Sequence, residues 1–153
     1  MSENLQKYQE IQVKLRTLRE EAAVLMKSVF SEGCNEFFRE NPNLVSFSWT
    51  QYTPYFNDGD SCEFSAHTDY INFVFMDGDV EVECEDVGAW SLRDNSDYLD
   101  DVLKNSDQNR QTALKVIEFL STFSDDDYEV TFGDHVRVTV INGTIDVDSY
   151  EHD

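Results

Sequence analysis

From Tyr8 to Val29 the apolar residues of this chain step by three and four in unbroken alternation: Tyr8, Ile11, Leu15, Leu18, Ala22, Leu25 and Val29. Such spacing draws one stripe along an α-helix and fits no strand, whose side chains repeat every two residues. The stripe predicts a long helix from residue 3 to about residue 32, with Ser2 as its cap and Glu3 in a first turn that favours negative charge. Sustained for about three heptads, it also matches the seam of a coiled coil. Met26 and Phe30 widen the stripe toward its C-terminal end, where packing on a globular core is expected. The segment "CNEFFRE" continues or restarts the helix beyond Gly33, and "NPN" at 41–43 stops it. Two readings of the stripe follow. Either the helix lies across the sheet of its own domain, or Tyr8, Ile11, Leu15, Leu18 and Leu25 join copies of the chain into an oligomer.

After residue 43 the period changes to two. "LVSFSWTQY" sets Val45, Phe47 and Trp49 against Ser46, Ser48 and Thr50, so Trp49 belongs to a buried face. "CEFSAH" and "YINFVF" read as further strands, the second apolar enough to be central. "DVEVECEDV" places Val80, Val82 and Cys84 on one face and Glu81, Glu83 and Glu85 on the other. A short helix capped by Ser96 is expected to turn Leu99, Val102 and Leu103 inward. A second helix over roughly 107–123 buries Ala113, Leu114, Ile117 and Leu120. "SDDD" then reads as a turn, and "YEVTFGD", "HVRVTVING" and "TIDVD" as strands, with Asn142-Gly143 a strong hairpin signal. The expected fold is α+β: a long N-terminal helix and two further helices on an antiparallel sheet of about five to seven strands. With no repeat and no Pro/Gly/Ser linker, residues 1–153 are expected to form one domain, a helical segment to residue 40 and an α+β body beyond it.

Charge divides at the same boundary. Residues 1–39 carry six basic and six acidic residues, whereas the remainder holds 5 basic and 26 acidic ones, the whole of the −21 net charge. With 40% hydrophobic and 13% aromatic residues the chain is not the composition of a disordered acidic tail. The acidic body repels nucleic acid and anionic lipid and attracts basic surfaces and cations, so direct nucleic-acid binding is excluded for it. No run approaches the ~18 apolar residues of a membrane helix, and "MSENLQKYQE" is neither signal nor transit peptide. The odd set Cys34, Cys62 and Cys84 reads as reduced thiols in a cytoplasm, chiefly small buried apolar residues. The histidines form no metal-ligand spacing, and neither a nucleophile elbow nor a phosphate-binding glycine loop is present. No catalytic residue, metal site or cofactor is expected.

Two features remain as candidate binding elements. Glu81, Glu83 and Glu85 project from one strand face at ~6.8 Å intervals, twice the rise per residue of a strand. That interval equals two phosphate steps of a DNA strand, and Asp146 and Asp148 repeat the arrangement on the last strand. Further acids gather at Asp94, Asp97, Asp100 and Asp101, and at Asp125, Asp126 and Asp127. A solvated surface kept for solubility is the plain alternative, although −21 exceeds what solubility requires. The second feature is the aromatic group Tyr52, Tyr55 and Phe56 around Pro54, either a lid on the core or a docking surface. The turn "NDGD" that follows departs from the calcium-loop pattern, since Pro54 falls at its first ligand position, and Asp58 and Asp60 offer at most a weak cation site.

The string "WTQYTPYFNDGDSCEF" at 49–64, with the tail "FGDHVRVTVINGTIDVDSYEHD" at 132–153, resembles a family of small acidic proteins of tailed bacteriophages and bacterial genomes. The family has no assigned activity, so the resemblance implies a setting, the cytoplasm of an infected bacterium, and no catalytic residues. Together these readings point to a non-enzymatic binding protein that engages a basic surface of a host or phage protein. Its sharp form is a nucleic-acid mimic; the alternatives are an assembly protein joined by the N-terminal helix and a divalent-cation binder.

Overall fold

The computed structural model describes residues 2–55 and 62–151. Helix α1 runs without a break from Glu3 to Glu40, 38 residues and ~57 Å at 1.5 Å per residue. Ser2 caps it as expected, its hydroxyl accepting from the Leu5 amide at 3.1 Å. Gly33 does not interrupt the helix; it marks a close approach, where an added Cβ would stand 2.5 Å from Cζ of Phe119. The helix ends at Asn41, whose amide donates to the Phe37 carbonyl.

Strands β1 (Leu44–Tyr52), β2 (Ser65–Ala66), β3 (Tyr70–Asp77) and β4 (Val80–Gly88) follow, then helices α2 (Ala89–Asp94), α3 (Asp101–Lys104), α4 (Asp107–Leu120) and α5 (Asp125–Phe132), then β5 (Val136–Ile141) and β6 (Thr144–Ser149). The fold is α+β, a long N-terminal helix and further helices on a six-stranded antiparallel sheet. The sheet order is β4-β3-β1-β5-β6, with β2 paired to the far end of β1. Among the described residues four helices follow α1 rather than two. The region 89–104 holds two short helices, and Asp100 rather than Ser96 stands at the cap of α3.

The segment "YEVTF", expected as a strand, forms the last five residues of α5. Its alternation fits either structure over so short a span, and the capping box decides. The Ser124 hydroxyl accepts from the Asp127 amide at 3.2 Å, and the Ser124 amide donates to the Asp127 carboxylate at 3.0 Å. "SDDD" is therefore a helix start, where three carboxylates meet the positive end of the peptide dipoles.

One face of the sheet is buried beneath the helices. Phe47, Trp49 and Gln51 of β1, Ile71, Phe73 and Phe75 of β3, and Val138 and Val140 of β5 point into it. Phe30 of α1 is the centre of the packing, with ring centroids 5.5–5.9 Å from Trp49, Phe119, Phe123 and Phe132. Phe38 stacks on Phe47 at 5.8 Å. Trp49 is buried as expected, and Cys34 and Cys84 are buried small apolar residues, whereas Cys62 is exposed.

Only the C-terminal half of α1 takes part in this packing. Met26, Phe30, Cys34 and Phe38 are its buried residues, and every position from 2 to 22 is exposed. The expectation that the whole helix lies across its own sheet fails for about the first twenty residues, which project ~30 Å beyond the body.

Candidate functional site

The opposite face of the sheet carries the candidate site. Strand register places its side chains in rows. Glu83 of β4 is level with Val74, Ser46, Ile141 and Thr144, and Asp146 of β6 is level with Thr139, Ser48 and Asn72. Asp148 lies opposite Arg137, itself opposite Thr50. The middle of the face is mostly short and neutral, and its two margins are acidic.

The β4 margin departs from simple alternation. Ile71 pairs with Val87 and Phe73 with Cys84, so one residue of β3 faces two of β4. This bulge sets Glu85 and Asp86 together opposite Asn72. Asp86 takes a positive φ of 51°, and its amide donates to the Asn72 side-chain oxygen at 2.9 Å. Glu81 and Glu83 keep the expected outward parity, while Glu85 belongs to the bulge rather than to an even row. All of these acids, with Asp146 and Asp148, are exposed.

The acids outside the strands are placed differently. Asp125 accepts from the Ala66 amide at 3.0 Å and Asp127 closes the capping box. Asp100 and Asp101 stand at the start of α3, and Asp97 pairs with Lys104 at 2.7 Å, a contact that holds its carboxyl below the usual carboxylate range. Asp97, Asp125 and Asp127 thus have local structural work. Across the ladder Glu81, Glu83 and Asp146 face Met76, Val74 and Thr139, which offer them no cation, and Asp148 alone stands opposite one, Arg137. Four of the five basic residues of the body are committed near the helices: Arg93 to Glu118, Lys104 to Asp97, Arg110 to Asp107 and Lys115 to Glu40. Arg137 alone among the five stands on the outward face, 5.4 Å from the centroid of the Tyr150 ring.

The aromatic candidates meet this face at one corner. Tyr52 contacts His67 edge-on at 4.5 Å and Tyr150 at 5.8 Å, and Tyr55 stacks on His135 at 4.9 Å. The corner is tied down by Asp134, which accepts from the Thr53 amide at 2.7 Å, the Thr53 hydroxyl at 2.6 Å and the His135 amide at 2.8 Å. Partial burial opposes the charge of Asp134, but these hydrogen bonds outweigh it and hold its carboxyl below the ordinary range. His67, His135, Arg137 and Tyr150 were missed by sequence reasoning. The parity of β5 against β6 carries a signal only for Arg137. Phe56, Asp58 and Asp60 lie outside the described residues.

Chemically the face offers carboxylates, hydroxyls and rings. Among the described residues no group of three or more His, Cys, Asp or Glu could hold a metal ion. Burial pushes the Cys34 and Cys84 thiols up to about 12, with Asp100 adding to the effect at Cys84. A groove of about 410 Å³ between α1 and α5 is lined by Arg19, Met26, Asp126, Asp127 and Glu129. No described helix is long and apolar enough to cross a membrane. The oligomer candidates Tyr8, Ile11, Leu15, Leu18 and Leu25 are all exposed on α1, away from this face.

No protein family, curated protein or solved structure matches the chain.

Proposed function

We propose that this chain is a non-enzymatic binding protein whose outward sheet face engages a basic surface of a partner protein. The observation that carries the reading is the placement of the strand acids. Glu81, Glu83, Glu85 and Asp86 at one margin and Asp146 and Asp148 at the other border a single face, and none of them caps a helix. The Tyr52, Tyr55 and Tyr150 corner adds rigid ring area of the kind that anchors interfaces. The sequence resemblance makes the partner a basic protein of a phage or its bacterial host, met in the cytoplasm.

Charge supports this reading better than duplex shape does. Four inter-strand steps of ~4.8 Å separate the margins by ~19 Å. A twist of ~20–25° per step turns one acidic row by ~80–100° against the other. Two crossing rows make a saddle with charged flanks, whereas the phosphates of a duplex run alongside each other. Attraction for basic groups, rather than mimicry of duplex geometry, is therefore what this face offers a partner.

Recovery of partners from bacterial lysate at low and high salt tests the reading, using the natural chain beside an E81Q/E83Q/D146N/D148N variant. A basic protein retained at low salt, released at high salt and lost by the variant is expected. Equal retention by the variant, or no basic protein at either salt, would sink the proposal.

A further inference from the structure

The exposed half of α1 has the pattern of a dimer interface, and its flanking charges state which way the second chain runs. Tyr8, Leu18 and Leu25 are 60%, 59% and 65% exposed, and Ile11, Leu15 and Val29 lie on the same stripe at positions a and d of a heptad. The stripe turns away from Met26, Phe30, Cys34 and Phe38, so packing on the body leaves it uncovered as far as Val29. Most helical stability in proteins comes from packing an apolar face, and the first twenty residues of α1 have no such packing on the body. At roughly 100 Å² for each half-exposed large side chain, six from each of two chains bring on the order of 1,200 Å², the lower bound of a specific interface.

We infer that the occupant of this stripe is a second copy of the chain, packed antiparallel. Two arguments fix the direction. In the heptad frame Lys7, Lys14 and Glu21 occupy g positions, and Gln12, Arg19 and Met26 occupy e positions. A parallel pair sets g against the following e, bringing Lys14 to Arg19 of the other chain twice. An antiparallel pair with Leu15 level with Leu18 sets g against g and e against e. Lys14 then meets Glu21 twice, and Gln12 meets Arg19. Tyr8 is level with Leu25, and Ile11 with Ala22.

The second argument is the position of the bodies. Each carries the full −21 excess, while α1 to residue 39 is neutral. Parallel helices would hold the bodies side by side. In the antiparallel register Phe30 of one chain is level with Glu3 of the other, which parts the two body attachments by ~40 Å, several times the ~8 Å screening length of physiological salt.

Sedimentation of the full-length chain over a range of micromolar concentrations is the test, with helicity followed by circular dichroism. A dimer of twice the 17.8 kDa chain mass is expected, reduced to monomer by L18D. K14E and E21K should each weaken the dimer about three- to tenfold, and K14E/E21K should restore it. In a parallel dimer K14E would instead face Arg19 and tighten association. A chain that stays monomeric, a dimer indifferent to L18D, or tightening by K14E overturns the inference. None of these outcomes bears on the acidic face, because all the substituted residues lie on α1.

Discussion

Gln51 is the most informative residue to remove from the interior. It is fully buried on the inward side of β1, and its amide joins that strand to α5. Its oxygen accepts from the Trp49 indole at 3.0 Å; its nitrogen donates to the carbonyls of Tyr128 at 3.0 Å and Gly133 at 2.7 Å. Gln51→Leu keeps the volume and deletes all three bonds. The Tyr128 carbonyl lies within α5 and is served by the helix ladder, which leaves the Trp49 N–H and the Gly133 C=O stranded. At ~1–3 kcal/mol for each of the two stranded groups, less about 1 kcal/mol gained from the more apolar side chain, the net loss is ~1–5 kcal/mol. Urea unfolding followed by far-ultraviolet circular dichroism measures it, a readout that does not depend on the Trp49 indole. Adding Trp49→Phe removes the stranded N–H, so Gln51→Leu should cost about 1 kcal/mol less in that background. A loss below about 1 kcal/mol, or independence from Trp49, would show that the bridge does not hold α5 to the sheet.

Other residues give equally direct checks. Gly33→Ala gains about 1 kcal/mol of helix propensity but presses a methyl into the Phe119 ring, so the denaturation midpoint should fall; a rise would mean that the ring yields freely. Asp134 has a lowered folded pKa, so its stabilisation is complete above the unfolded value of about 3.9 and is lost as pH falls through the folded one. The melting temperature of the natural chain should therefore drop more steeply below pH 4 than that of Asp134→Asn, and parallel curves would refute the assignment. A thiol reagent at neutral pH should label Cys62 at once and reach Cys34 and Cys84 only on unfolding, because both are buried and their thiols are pushed up to about 12. Prompt labelling of three thiols would contradict the packing described.

Much of the fold is legible where one period runs long enough. The heptad stripe locates α1, and the alternation in "LVSFSWTQY", "YINFVF" and "HVRVTVI" locates β1, β3 and β5. Asn142-Gly143 marks the β5–β6 turn, where Gly143 has a φ of 79°. Legibility fails where the segment is short or a single residue shifts the register. Over "YEVTF" the periods of helix and strand coincide, and only the Ser124–Asp127 box tells them apart. The bulge at Glu85 and Asp86 has no counterpart in local pattern, because it depends on what β3 presents across the ladder. Sheet order, which brings the acids of β4 and β6 to one face, is a property of long-range pairing. The aromatic corner assembles Tyr52, His67, His135 and Tyr150 from four separated segments, beyond the reach of any sequence window.

The placement of β4 and β6 at the two ends of the sheet has a consequence for what the protein avoids. An end strand presents a row of unused backbone donors and acceptors, the template on which fibrils and edge-to-edge aggregates grow. A second copy adding its β4 or β6 to either end would bring the exposed carboxylates of these strands within ~4.8 Å of one another. Growth by strand addition is thereby opposed at both open ends.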